Sequence, residues 1–381
     1  MAYDDSELKR FAGYFEAKEP GRKERAQAWA TAIGLQKVDG LTPSDYLLET
    51  AQQHIEGKLT QAQVRRRINN YYSAKNELSA QVVASEEADK VSERIVAVIH
   101  DGGFSYTPEY FISLHKKLFK GILAHAGELR RVNIKKREWV LKDDSVTYGD
   151  KASLMASLAR HFSDEKEFAY AGRSPRAIIP HFVRFIAQIW QIHPFAEGNT
   201  RTTAVFAIKY LHALGYPVTN NIFCENSWYF RNALVRANYA DYAKGVTREW
   251  GYLEAFFRNL LLGEQNVLKS RALLIGCGAK VPRFGDKKVR IGDEKVRMGG
   301  KKVRMEAFWA GLGVSRPTRQ NIEKLYDEFG LEEAFGEAIV AAKCGLSRRG
   351  ASRLIALMRK NKMIEHRSGL GPGKYVFHGI E

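Results

Sequence analysis

Apolar residues recur at helical spacing along most of the chain, and the places where that period starts and stops define its elements. A first periodic stretch covers about 23–38 and stops near Gly40. Thr42-Pro43 supplies an N-cap followed by proline at the first helical position. Tyr46, Leu47, Ala51 and Ile55 then keep one apolar face until Gly57. Thr60-Gln61-Ala62-Gln63 has the pattern of a capping box and opens a third helix through Val64, Ile68 and Tyr71. From 76 to 262 the chain is richer in apolar and aromatic residues and again mostly helical by period. One stretch breaks that period. Trp139-Val140-Leu141 and Ser145-Val146-Thr147-Tyr148, with Lys142-Asp143-Asp144 between them, predict a small β-hairpin.

The pattern changes after 262. Gly285-Asp286-Lys287-Lys288-Val289-Arg290-Ile291 is followed by two further seven-residue copies, each opened by glycine. Glycine at every unit start and an alternating Val-x-Ile or Val-x-Met suit an extended basic spacer better than a coiled-coil seam. Helical period resumes over 318–329, 335–343 and 347–362, the last two flanking Cys344-Gly345. Two short strand-like runs follow, 363–367 and 374–377, around a glycine-rich turn at 369–373. That order resembles a winged helix. The expectation is a mainly α chain in four parts: a helical region 1–75, a helical domain 76–262, a linker 263–305 and a domain 306–381.

Length and charge refine this picture. At roughly 100–200 residues per domain, 381 residues give two or three domains. The net charge of +17 points to nucleic acid or phosphate-rich ligands, or to no more than a soluble protein with a basic spacer, so the location of the charge decides. Arg348, Arg349, Arg353, Arg359, Lys360 and Lys362 fall on the last helix, and Arg367 and Lys374 on the wing, an arrangement that suits a DNA duplex. Protein contact and a purely structural role stay open for that domain. The polar, acidic start lacks a secretory pattern, and no apolar run has the length of a membrane span. Cys224, Cys277 and Cys344 lie far apart and read as free thiols, not a zinc site. These features predict a cytoplasmic protein.

The chemistry concentrates in one loop. A helix carrying Ile178, Phe182, Phe185, Ile186 and Ile189 leads into His193-Pro194-Phe195-Ala196-Glu197-Gly198-Asn199-Thr200-Arg201. A second helix follows, with Val205, Phe206, Ile208, Leu211 and Leu214, and ends at Gly215. Gly198 and Asn199 tolerate the turn needed to aim backbone N–H groups at one point, and the next helix begins there with an N-terminus that favours anions. Arg201 adds a cation for phosphate oxygens. Glu197 offers the single carboxylate that suffices for magnesium already carried by phosphates. His193 can act as a general base near neutral pH.

With its flanking helices, that nine-residue segment resembles the signature of the Fic family, His-Pro-Phe-x-(Asp/Glu)-Gly-Asn-(Gly/Lys)-Arg, and the resemblance extends over about 90–250. It implies a helical Fic core with a hairpin flap, here Trp139, Val140, Leu141, Val146, Thr147 and Tyr148, which pins a target's backbone beside His193. Upstream, Gly127-Glu128-Leu129-Arg130-Arg131-Val132-Asn133-Ile134 is similar to the stretch that leads into the flap. The resemblance further implies that Glu197, Gly198, Asn199, Thr200 and Arg201 hold the nucleotide and its magnesium, that Phe230 lies near the base, and that Asn238 bonds the nucleotide. The implied reaction is magnesium-dependent transfer of AMP from ATP, or of another nucleoside monophosphate, to a Ser, Thr or Tyr hydroxyl of a protein. A topoisomerase subunit and the chain itself are among the implied targets.

Two departures stand out. Thr200 replaces the signature's glycine or lysine, and Ala204 stands where many members carry a second, phosphate-clamping arginine. Leu35-Gln36-Lys37-Val38-Asp39-Gly40-Leu41 resembles the inhibitory segment of antitoxins that accompany some Fic toxins, with Leu35 for the hydroxyl residue and Asp39 for the glutamate. These changes keep a second expectation open: a DNA-binding regulator whose Fic fold is catalytically weak and senses nucleotide.

Overall fold

The computed structural model describes residues 10–17, 19, 21–75, 79–216, 218, 222–284, 315–329, 335–361, 363–366 and 374–377. The described residues form two compact units. One is drawn from Met1–Ala169 and Ile179–Lys287, the other from Tyr170–Ile178 and Lys288–Glu381. The glycine-headed repeats, Lys362, Arg367 and the turn at 369–373 lie outside the described residues. Among the described residues no helix is long and apolar enough to cross a membrane.

The first unit is built from helices. In chain order they are α1 (Arg22–Gln36), α2 (Asp45–Ile55), α3 (Gln61–Ser73), α4 (Ala80–His100) and α5 (Pro108–Phe119). Then follow α6 (Leu154–Lys166), α7 (Pro175–Ile192), α8 (Asn199–Ala213), the short α9 (Ile222–Glu225), α10 (Ser227–Asn238) and α11 (Gly251–Leu262). Thr60 and Gln63 form the expected capping box at α3. At α2 the cap is Ser44, not Thr42. The Ser44 hydroxyl accepts from the Leu47 N–H at 3.2 Å and donates to Asp89, so the helix starts two residues later than proline placement suggests.

α1 and α8 occupy the centre. Nearly every residue of α1 from Ala28 to Gln36 is buried, and it packs on α4 and α9. Gly34 permits this approach, because a Cβ there would lie 2.5 Å from the Cys224 backbone. α8 is buried from Asn199 to Leu211, so it is a central helix and not an amphipathic one. Aromatic rings fill the space around it, Phe111, Phe162, Phe185 and Phe206 among them. α7 runs through Pro180 without ending there.

The expected hairpin is corrected. Trp139–Leu141 is a 3-10 turn, and the segment closes through one antiparallel bridge, Glu138 to Asp144. A strand would alternate its side chains across the sheet, but here Val140 and Leu141 are both buried. Lys142 and Asp143 both take left-handed φ values, +52° and +68°, and complete the turn.

The second unit contains α12 (Arg316–Phe329), β1 (Phe335–Gly336), α13 (Glu337–Cys344), α14 (Arg348–Lys360), β2 (Ile364–His366) and β3 (Lys374–Phe377). The strands form an antiparallel sheet in the order β1-β3-β2, with Phe335 opposite Tyr375 and Ile364 opposite Phe377. β1 takes the place of the expected start of a helix at 335. Ser347 caps α14 by accepting from the Gly350 N–H. Ala351, Leu354, Ile355 and Met358 bury one face of α14 against Leu325, Val340 and Phe377.

Candidate active site

His193 sits at the end of α7 with φ +49°, a conformation that costs a non-glycine residue on the order of 1–3 kcal/mol. Arg130 holds it there. The Arg130 main-chain N–H donates to the Pro194 carbonyl and its Nε donates to the His193 carbonyl, each at 2.8 Å. Its remaining guanidinium nitrogens donate to the carbonyls of Val132 and Gly149. One arginine thus ties the histidine loop to both ends of the expected flap. The sequence stretch containing Arg130 was legible, but nothing in its pattern assigns this role.

The imidazole of His193 is buried, with Nδ1 3.1 Å from the Trp190 carbonyl. A carbonyl can only accept, so Nδ1 carries the proton and Nε2 presents its lone pair. Nε2 has no hydrogen-bond partner among the described residues. Burial, reinforced by the charge of Lys136, pushes the pKa well below the ordinary imidazole value. The arrangement is a neutral base with an unused acceptor atom. The Tyr148 ring covers it, 4.1 Å away and tilted by 35°.

A second histidine, His115, braces the same loop and was not singled out by the sequence. Its Nδ1 accepts from the Gly127 N–H at 2.9 Å, so Nε2 donates to the Glu197 carbonyl at 3.1 Å. Its ring stacks on Phe195, and burial lowers its pKa to about 4. The only signal in the sequence is a polar residue on the apolar face of α5.

The residues expected to hold phosphate divide in two. Gly198 has φ +75°, and a Cβ there would lie 2.6 Å from the Phe119 ring, so glycine is required on both counts. The Asn199 side chain accepts from the Phe195 N–H at 3.0 Å and donates to the Phe195 carbonyl at 2.7 Å. Thr200 Oγ1 accepts from the indole N–H of Trp190 at 3.0 Å. These side chains shape the loop. What they leave for an anion is the first turn of α8, whose N–H groups have no intrahelical acceptor. Glu197 is exposed beside that turn, and its carboxylate makes no ion pair among the described residues.

Arg201 is 2% exposed and held by two hydrogen bonds and a further ion-pair contact, its Nε making no hydrogen bond among the described residues. Nη1 donates to Gln36 at 3.0 Å, Nε lies 2.7 Å from a carboxylate oxygen of Asp39, and Nη2 lies 2.6 Å from Glu87. Its guanidinium also lies over the Phe119 ring. Gln36 and Asp39 belong to the segment 35–41, and Glu87 comes from α4. Ala204 is fully buried.

Phe230 and Asn238, the residues expected near the base and on the nucleotide, lie in the core. Phe230 has no exposed surface and packs among Phe223 and Phe256. Asn238 donates to the carbonyls of Ala187 and Leu234. The Asn238 amide N–H groups are thereby used within the core.

The flap segment is fastened at several points. Arg231 grips Glu138 with two bonds of 2.6 and 3.0 Å, the Tyr239 hydroxyl donates to Asp144 at 2.7 Å, and the Ile275 N–H donates to the Val140 carbonyl at 2.9 Å. Val146 and Tyr148 are buried with Val140 and Leu141, whereas Trp139 and Thr147 face outward. A cavity of about 480 Å³ lies beside it, lined by Thr147, Gly149, Arg160, Asp164, Gln188 and Gln191.

The site therefore combines a neutral nitrogen base at His193 with a helix N-terminus that begins at Asn199. Residues 105–211 match the model of the Fic/DOC family, and this stretch is a Fic/DOC family domain. A solved structure described as a Fic family protein from Desulfovibrio desulfuricans G20 aligns over 98% of this chain and 94% of its own, with 13% identity and a TM-score of 0.39. No curated protein matches the chain.

Proposed function

We propose that the chain transfers AMP from ATP to a hydroxyl side chain of a protein, with His193 as general base. The Fic/DOC domain supports nucleotide transfer to a protein target in general. The observation that carries the finer reading is His193 Nε2: a neutral, buried acceptor with no partner, aligned by Trp190 and Arg130. A target hydroxyl that displaces the Tyr148 ring would give its proton to that atom as it attacks the α-phosphorus, and the bond from that phosphorus to the β-phosphate oxygen would break, releasing pyrophosphate. The α8 N–H groups would receive the developing negative charge. Glu197 fits magnesium carried by phosphates, because its carboxylate is exposed and unpaired among the described residues. Bound there, the ion would supply further charge stabilisation. The test is transfer of label from α-phosphate-labelled ATP to protein, compared with a His193 variant. Nucleotide binding without transfer would instead favour the DNA-binding regulator.

The contacts of Arg201 support a resting state in which the segment around Asp39 inhibits in cis. Arg201 is paired with Asp39 and Glu87, which compete with any phosphate for its guanidinium. Asp39→Asn removes a charge from the exposed side of this cluster and leaves α1 intact. An ion pair with a partly exposed carboxylate is worth up to about 1 kcal/mol, so transfer is expected to rise roughly 2–5-fold. An unchanged rate in a folded variant would sink the inhibitory reading.

For the second unit we propose a winged helix that binds DNA. The helix–strand–helix–helix–strand–strand order supports the first part. The outward face of α14 supports the second, since Arg349, Arg353 and Lys360 are all exposed on it. In the full chain, Arg349→Ala with Arg353→Ala is expected to lower the salt slope of duplex binding by about 2, close to one per lost phosphate contact. Filter binding across a salt series reads it. An unaltered slope would leave the unit with a structural or protein-binding role.

A further inference from the structure

A second cavity, of about 600 Å³, opens on the first unit between α3, α4 and α5. It uses a different face of α5 from the one that meets the catalytic loop through His115 and Phe119. Five cations line it, Arg65, Arg94, Lys116, Lys117 and Lys120, against the single carboxylate of Asp101. A cleft lined by one sign of charge focuses its field and concentrates counter-ions.

The charges are not balanced from within. Arg65 pairs with buried Glu93 at 3.1 Å, and Lys117 lies 3.6 Å from Asp101. The main-chain carbonyl of Asp101 also receives the Lys209 ammonium. Lys116 and Lys120 have no carboxylate partner among the described residues. Arg94 is half-buried, and its Nη1 donates to the Leu118 carbonyl at 3.0 Å, which fixes the plane of the guanidinium. Burial pushes the pKa of Arg94 down, and the neighbouring charge of Arg65 adds to this although Glu93 opposes it. An oriented, partly desolvated guanidinium beside two unpaired ammonium groups lacks an anion.

The remaining lining narrows the class of ligand. Besides the charged groups it holds only Ala97, Val98 and Ser113, so no aromatic ring lines it. Recognition of a nucleobase commonly uses ring stacking, and a planar guanidinium with several point charges matches phosphate oxygens instead. The volume falls within the range of small-ligand sites, roughly 300–1,000 Å³. We infer that this cleft is an oligophosphate site, separate from the catalytic loop, in which Arg94 grips one phosphate and Lys116, Lys117 and Lys120 accompany its neighbours. A free inorganic polyphosphate and the tail of a nucleoside triphosphate share this chemistry.

The probe is inorganic tripolyphosphate, titrated calorimetrically into the full chain at low ionic strength without magnesium. Lys116→Ala with Lys120→Ala removes two exposed side chains that play no part in the catalytic loop, so the variant should fold and retain its transfer activity. The expected result is binding to the parent chain, weakened tenfold or more in the variant. Competition with ATP separates the sources. Displacement of the bound tripolyphosphate assigns the cleft to a nucleotide tail, and its persistence assigns the cleft to free polyphosphate. Equal affinity in parent and variant, or no binding by the parent chain, would overturn the inference.

Discussion

His193→Ala is expected to lower AMP transfer by about 10²–10⁴-fold, the range supplied by a positioned general base, with ATP binding little changed. The reason is local. The imidazole touches none of the groups assigned to phosphate, and its Nε2 is the one ring atom left without a partner. Initial rates of label transfer at saturating ATP, with binding measured separately, distinguish this from loss of the nucleotide site. The pH profile provides a second reading. A base works only when neutral, and burial holds this imidazole well below the ordinary value. The acid limb of kcat/KM is therefore expected below pH about 6.5, the unperturbed imidazole value. Transfer that survives in the alanine variant, or an acid limb at or above that pH, would assign the proton to another group.

Much of the site was legible because its signal is covalently contiguous. The His193–Arg201 segment keeps its spacing whatever the rest of the chain does, and its flanking apolar periods place it between two helices. The helix cap at Thr60 was legible for the same reason, since capping is decided within one turn. What was not legible was whatever depends on partners distant in sequence. Phe230 and Asn238 sit on a helix whose period is clear, but periodicity does not say whether a buried face meets a ligand or other side chains. The structure shows Phe230 against Phe223 and Phe256, and Asn238 bonded to Ala187. The strand-like composition at 139–148 gave way because the tertiary environment buries Val140 and Leu141 together. The grip of Asp39 and Glu87 on Arg201 spans 162 and 114 residues of sequence, and no local pattern predicts it. The resemblance did direct attention to Asp39, although to a different arginine position.

The Glu138–Arg231 pair should show the largest effect on stability. Glu138 is 1% exposed, Arg231 is 15% exposed at its side chain, and their two bonds clamp the segment that carries Tyr148 over His193. Arg231→Met removes the cation and leaves a buried carboxylate without its counter-charge. Breaking a buried pair from one side typically costs about 3–5 kcal/mol, so Tm should fall on the order of 10 °C near neutral pH. The pH dependence gives the cause. Burial raises the pKa of Glu138, with Arg231 opposing that rise, and without Arg231 it must climb further. A carboxyl whose folded pKa lies above its unfolded value favours the folded state below the unfolded value. That contribution is lost as pH rises through the folded pKa. The deficit of Arg231→Met should therefore be full near pH 7 and shrink as pH falls toward the ordinary carboxylate range. Glu138→Gln in the same chain should recover most of it at neutral pH, because no charge is then left buried. A deficit that is equal at both pH values, and untouched by Glu138→Gln, would mean that Arg231 acts through packing on Trp228 and not through charge. If the charge reading holds, amides of the segment around Tyr148 should exchange faster in Arg231→Met than in the parent chain, because the clamp that opens is the one that covers the base.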